Sequence, residues 1–83
     1  MHLKMYVTIS EEDKIALFDV DPDSGRLEST GAAPVTGRPA PLAINPDRSR
    51  LYVGRRDIKE ISTFEIDQNS GDLSMVGTVS LED

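Results

Sequence analysis

Short apolar runs alternate with turn-forming clusters along the whole of this chain. Met5-Tyr6-Val7-Thr8-Ile9, Ile15-Ala16-Leu17-Phe18-Asp19-Val20, Leu51-Tyr52-Val53 and Ile61-Ser62-Thr63-Phe64-Glu65-Ile66 are brief and rich in β-branched and aromatic residues, as strands are. Pro22, Pro34, Pro39, Pro41 and Pro46 would break any helix of useful length. The pattern predicts strands near 3–9, 14–20, 26–33, 41–45, 50–55, 60–66 and 72–79. In the second of these, Ile15 and Leu17 point one way while Ala16, Phe18 and Val20 point the other. A sheet wet on one face alternates cleanly between apolar and polar, so this strand belongs to a sheet covered on both faces.

The runs also repeat. Shifted by 46 residues, the chain matches itself without a gap: Tyr6-Val7 on Tyr52-Val53, Ile15 on Ile61, Phe18 on Phe64, Asp21 on Asp67, Ser24-Gly25 on Ser70-Gly71, Leu27 on Leu73, Gly31 on Gly77. Nine of the 33 pairs between residues 5 and 37 are identical. A period of about 40–50 residues fits either helical repeats or four-stranded propeller blades, and the strand pattern rejects the helical choice. The turns agree. Asp21-Pro22-Asp23-Ser24-Gly25 and Asp67-Gln68-Asn69-Ser70-Gly71 occupy equivalent places, and Asn45-Pro46-Asp47-Arg48-Ser49 is a third hairpin connection. In each, an Asp or Asn can bond its own backbone, and in the first two a glycine supplies the exit.

Length and charge narrow the function. Eighty-three residues make at most one small domain, which buries only about 60–65% of its unfolded surface. Nine basic against fifteen acidic side chains give a net charge of -6, which argues against nucleic acid and anionic membrane surfaces. Without cysteine there is neither a disulfide nor a thiolate ligand, and no apolar run approaches the ~20 residues of a membrane span. A cytoplasmic protein is the expectation.

The repeated elements resemble the lactonase family of seven-bladed β-propellers, which includes 6-phosphogluconolactonase and carboxymuconate cyclase. The resemblance rests on Tyr6-Val7, on Phe18 through Leu27, on Arg38-Pro39 and Pro41 through Asp47, on Leu51-Tyr52-Val53-Gly54, and on the second hairpin from Phe64 to Leu73. It implies an all-β fold of four-stranded antiparallel blades. Residues 1–37 would form a partial blade of three outer strands and residues 38–83 a second blade, about one and three-quarter blades of the ring. Open strand edges are templates for association. The expected partners are therefore the remaining propeller blades, whether the rest of a longer chain, a nicked partner chain or further copies, and a lone monomer is not expected. The resemblance also implies a sugar-lactone hydrolase acting on a small-molecule lactone. A lactone-forming enzyme of the carboxymuconate cyclase kind and a non-catalytic binding platform are the alternatives, since fold does not fix chemistry.

Lactone hydrolysis needs an attacking water, a base and donors for the oxyanion, and a phosphorylated substrate needs cations. Arg56, after Leu51-Tyr52-Val53-Gly54-Arg55, is the leading candidate to hold a substrate carboxylate or phosphate through its bidentate fork. Arg38, at the entrance to an innermost strand, is a second candidate, and Arg55, alternating to the other side, a third. Arg48 and Arg50 flank a hairpin and read as solvated. None can act as the base, because arginine stays protonated. His2 is the only imidazole and lies beside the N-terminus, so the catalytic residue is not assigned here. Asp19-x-Asp21-x-Asp23 begins like a calcium loop but has Ser24 in place of the required glycine and Thr30 in place of the final glutamate. It reads as a hairpin turn. Glu11-Glu12-Asp13 reads as a solvated hairpin tip, and neither metal nor cofactor is expected.

Overall fold

The computed structural model describes residues 3–81. Its strands are β1 (Leu3–Ile9), β2 (Lys14–Val20), β3 (Leu27–Pro34), β4 (Pro39–Ile44), β5 (Arg50–Arg55), β6 (Glu60–Ile66) and β7 (Leu73–Ser80), with a short 3-10 turn at Ser10–Glu12. They form a three-stranded sheet in the order β1-β2-β3 and a four-stranded sheet in the order β4-β5-β6-β7, with every neighbouring pair antiparallel. The repeat extends to the irregularities. The β2–β3 register slips between Leu17 and Phe18, passing over Thr30, and the β6–β7 register slips between Thr63 and Phe64, passing over Val76. Each is a one-residue bulge, which strengthens the local twist.

The hairpin turns form as their residues dictate. Asp21 Oδ1 accepts from the Asp23 N–H at 2.9 Å, and Asp67 Oδ1 from the Asn69 N–H at 2.8 Å. Gly25 and Gly71 leave the turns at φ 77° and 81°. In the third turn Asn45 Oδ1 accepts from the Ser49 and Arg50 amides at 2.9 Å each.

The core lies between the two sheets. Ile15 and Leu17 of β2 meet Leu51, Val53 and Phe64 of the second sheet, and Val35 of the connecting segment fills the seam. β4 begins at Pro39, two residues before the expected 41. Pro39 is buried and pairs with Arg55 across a bulge. Proline has no N–H to donate, so β4 tolerates Pro39 and Pro41 because only its β5 edge is paired. The opposite edge of β1 is likewise unpaired among the described residues.

Candidate functional site

Three loops converge where β4 begins: residues 10–13 between β1 and β2, residues 35–38 between the sheets, and residues 56–59 between β5 and β6. The chain must turn sharply to enter β4, and Gly37 at φ 89° and Arg38 at φ 56° make that turn. A Cβ on Gly37 would approach Ile58 Cγ1 to 3.1 Å, so a larger residue would push the Ile58 side chain aside, and the positive φ is what favours glycine. A left-handed conformation costs a non-glycine residue roughly 1–2 kcal/mol, so Arg38 needs support from both sides. It has that support. Its N–H donates to Asp13 Oδ1 at 3.0 Å, and its carbonyl accepts from the Arg56 N–H at 3.3 Å. The Asp57 N–H donates to the Gly37 carbonyl at 3.0 Å, the Val35 N–H to the Asp13 carbonyl at 2.9 Å, and the Ser10 hydroxyl to the Pro39 carbonyl at 2.7 Å.

This clamp brings the three candidate arginines to one end of the molecule and gives them different environments. Arg55 points back into the sheet, its side chain only 13% exposed. Its Nε donates to the Thr36 carbonyl at 2.8 Å and one terminal nitrogen to the Thr36 hydroxyl at 2.7 Å. The other reaches Ser62 Oγ at 3.2 Å and Glu60 at 3.6 Å. Ser62 is fully buried, and it is satisfied by Arg55 and by Thr78 Oγ1 at 3.1 Å. Arg38 and Arg56 lie exposed, and no partner among the described residues takes either guanidinium. Two backbones joined by a hydrogen bond thus carry two exposed arginines, and arginine's fork suits a polyvalent anion.

Other candidates fall elsewhere. Arg50 is not simply solvated, because it bonds Glu65 across the strands at 3.0 Å; Arg48 is exposed at a φ of 63°. Glu11 and Glu12 stay in solvent, whereas Asp13 is the anchor of the clamp. His2 lies outside the described residues. Among the described residues no group of three acidic, histidine or cysteine side chains could hold a metal ion. Asp19 pairs with Lys4, and Asp21 turns inward on its own backbone. The Asp23 amide above all, then the Ser24 hydroxyl and amide, hold the Asp21 carboxyl below the usual carboxylate range. The Ser70 and Asn69 amides do the same for Asp67, and for Asp47 the Ser49 hydroxyl and amide lead. A cleft of about 530 Å³ opens at the opposite end, between β1 and the turns that carry Arg48 and Gln68.

Sequence reasoning missed Asp13, Thr36 and Ser62. A signal was there, in the places where the repeat is broken. Arg55 stands opposite Ile9, Arg56 opposite Ser10, and Ser62 opposite Ala16. The second copy exchanges apolar or small residues for polar ones at just this end.

The sequence profile of the family described as Lactonase, 7-bladed beta-propeller matches residues 3–82. The chain belongs to this family. It is 34% identical over 77 residues to the 6-phosphogluconolactonase of Serratia proteamaculans, a match that covers 93% of this chain and 23% of the relative. The 6-phosphogluconolactonase of Blochmanniella pennsylvanica matches to the same extent. Among solved structures, a candidate 6-phosphogluconolactonase of Bacteroides uniformis superposes with a TM-score of 0.88 at 26% identity, over 95% of this chain and 24% of that one. The periplasmic gluconolactonase of Pseudomonas aeruginosa superposes at 0.78 with 25% identity, over 84% of this chain and 20% of that one. The chain therefore spans about a quarter of the length of the relatives it matches. The four-stranded antiparallel sheet has the make-up of a propeller blade, and the three-stranded sheet beside it has one strand fewer among the described residues. Among the described residues no helix is long and apolar enough to cross a membrane.

Proposed function

We propose that this chain forms one sector of a sugar-lactone hydrolase similar to the 6-phosphogluconolactonases, and that Arg56 and Arg38 bind the anionic part of the substrate. The observation that carries this reading is the clamp between the loops. It holds two unpaired arginines on adjacent backbones at the open end of β4, one of them in a strained left-handed conformation. Strain of that kind, fixed from both sides, is characteristic of ligand-binding positions. Arg55 is a positioning residue, tying Thr36 to the sheet so that the neighbouring Arg38 and Arg56 keep their spacing. The sector contributes cations and orientation; the base that activates water comes from other blades. A cytoplasmic setting accompanies this reading, because a phosphorylated sugar does not cross membranes unaided.

The test is steady-state kinetics of the complete ring on 6-phosphogluconolactone, on unphosphorylated gluconolactone and on a muconolactone. Arg56→Ala is expected to raise KM for the phosphorylated lactone about ten- to hundredfold, the loss of a charge-assisted hydrogen bond, with a smaller effect on the unphosphorylated one. An unchanged KM overturns the role of Arg56. Turnover of the muconolactone alone overturns the substrate class.

A further inference from the structure

The two copies of the repeat make the same bend at the same point and fill it with different residues. Shifted by 46 residues, Asp13 falls on Lys59 and Val35 on Leu81. Asp13 and Lys59 both adopt the left-handed conformation, at φ 51° and 53°. The carbonyl of each accepts from the residue that follows the last strand of its sheet, the Val35 N–H at 2.9 Å and the Leu81 N–H at 2.7 Å. This backbone contact belongs to the repeat, and it does not require aspartate, because lysine makes it equally well.

The Asp13 carboxylate does something separate. Its Oδ1 accepts from the Arg38 N–H at 3.0 Å, and the ammonium of Lys59 has no acceptor to offer in the same way. Asp13 thus brackets the segment that joins the sheets, with its carbonyl at Val35 and its carboxylate at Arg38. The two residues between are held from the other side, Thr36 by Arg55 and the Gly37 carbonyl by the Asp57 N–H. Arg38, at φ 56°, has a conformation that a residue with a side chain keeps only where its surroundings fix it. A carboxylate holds an amide more strongly than a neutral acceptor does. Arg56 needs no such bond, because it follows directly on β5, whose ladder with β6 runs to Arg55 opposite Glu60.

We propose that Asp13 is a positioning residue of the anion site: its carboxylate fixes the Arg38 backbone, and with it the place from which the Arg38 side chain reaches the substrate. This rests on the reading of Arg38 as an anion-binding residue. The carboxylate touches no substrate and moves no proton. It acts through Arg38, and the bend it stands on would form without it.

Steady-state kinetics of the complete ring on 6-phosphogluconolactone test this, with circular dichroism and thermal unfolding establishing the fold of each variant. Asp13→Gly keeps a residue suited to positive φ and deletes the carboxylate. It is expected to raise KM about tenfold while kcat stays within about twofold of the parent. Asp13→Asn keeps an oxygen acceptor and tolerates the left-handed turn, so its KM is expected to stay within about twofold of the parent. Arg38→Gln is expected to raise KM at least as far as Asp13→Gly does. Adding Asp13→Gly to Arg38→Gln is expected to raise KM no further, whereas a merely structural role would make the two losses add. An unchanged KM in Arg38→Gln overturns the reading of Arg38, and this proposal with it. Where Arg38→Gln does raise KM, that reading stands, and the proposal alone is overturned by any of three results: an unchanged KM in Asp13→Gly, a raised KM in Asp13→Asn, or losses that add in the double variant.

Discussion

The two copies of the repeat are built alike and live differently. Leu51 and Val53 of the second are inaccessible to solvent, while Met5 and Val7, at the same places in the first, are each 38% exposed. Gly71 is covered by a lysine stem, and Gly25 meets open space. Strands, bulges and turns agree between the copies, so the difference arises from the neighbour and not from the local fold. Local structure in this chain is written within each repeat, whereas burial is conferred by the adjacent sheet.

The sharpest way to break that comparison is to delete the same methylenes in both copies. Leu51→Ala is expected to cost about 2–5 kcal/mol of unfolding free energy, because a cavity opens between the sheets. Met5→Ala is expected to cost less than about 1 kcal/mol, as an exposed residue does. Denaturant unfolding at low protein concentration measures both, and equal losses would mean that the first sheet is covered after all.

A smaller difference separates the glycines. Gly25→Ala and Gly71→Ala both place a Cβ at positive φ, for roughly 1–2 kcal/mol each. Gly71→Ala must also displace Lys4, so its loss is expected to be the larger of the two in the same unfolding experiment. The smallest difference is expected at the turn carboxylates, which are exposed in both copies. Asp21 and Asp67 are held below the ordinary value of 3.8 by turn donors, led by the Asp23 amide and the Ser70 amide respectively. A depressed folded pKa contributes stability that is complete above the unfolded value and is lost as pH falls through the folded one. Acidification below the ordinary carboxylate range should therefore destabilise the chain, and Asp21→Asn and Asp67→Asn should flatten that loss alike. Unfolding curves recorded through the acid range check both variants, and a flattening confined to one would separate the turns.

Much of this architecture was legible because it is local. Strand periodicity, turn chemistry and the 46-residue repeat depend on neighbours within a few residues or on identity at a fixed shift. The early start of β4 was hidden because Pro39 breaks the expected strand pattern, and only the unpaired edge explains why it is tolerated. Arg55, Arg56 and Arg38 were picked out together, but sequence alternation could not show that Arg55 is consumed by Thr36, Ser62 and Glu60, which come from a loop and from the next strand. The anchor Asp13 was mistaken for a solvated tip because its partners, Val35 and Arg38, lie more than twenty residues away. The Tyr6–Gly71 bond spans 65 residues, and nothing short of the packed sheets brings those groups together.

The central claim is that one face of a repeated sheet is hidden in the second copy and open in the first. A soluble paramagnetic probe, read on side-chain methyl resonances in dilute solution, tests it directly. The methyls of Met5 and Val7 should broaden strongly while those of Leu51 and Val53 stay sharp; equal broadening at the four positions would contradict the account.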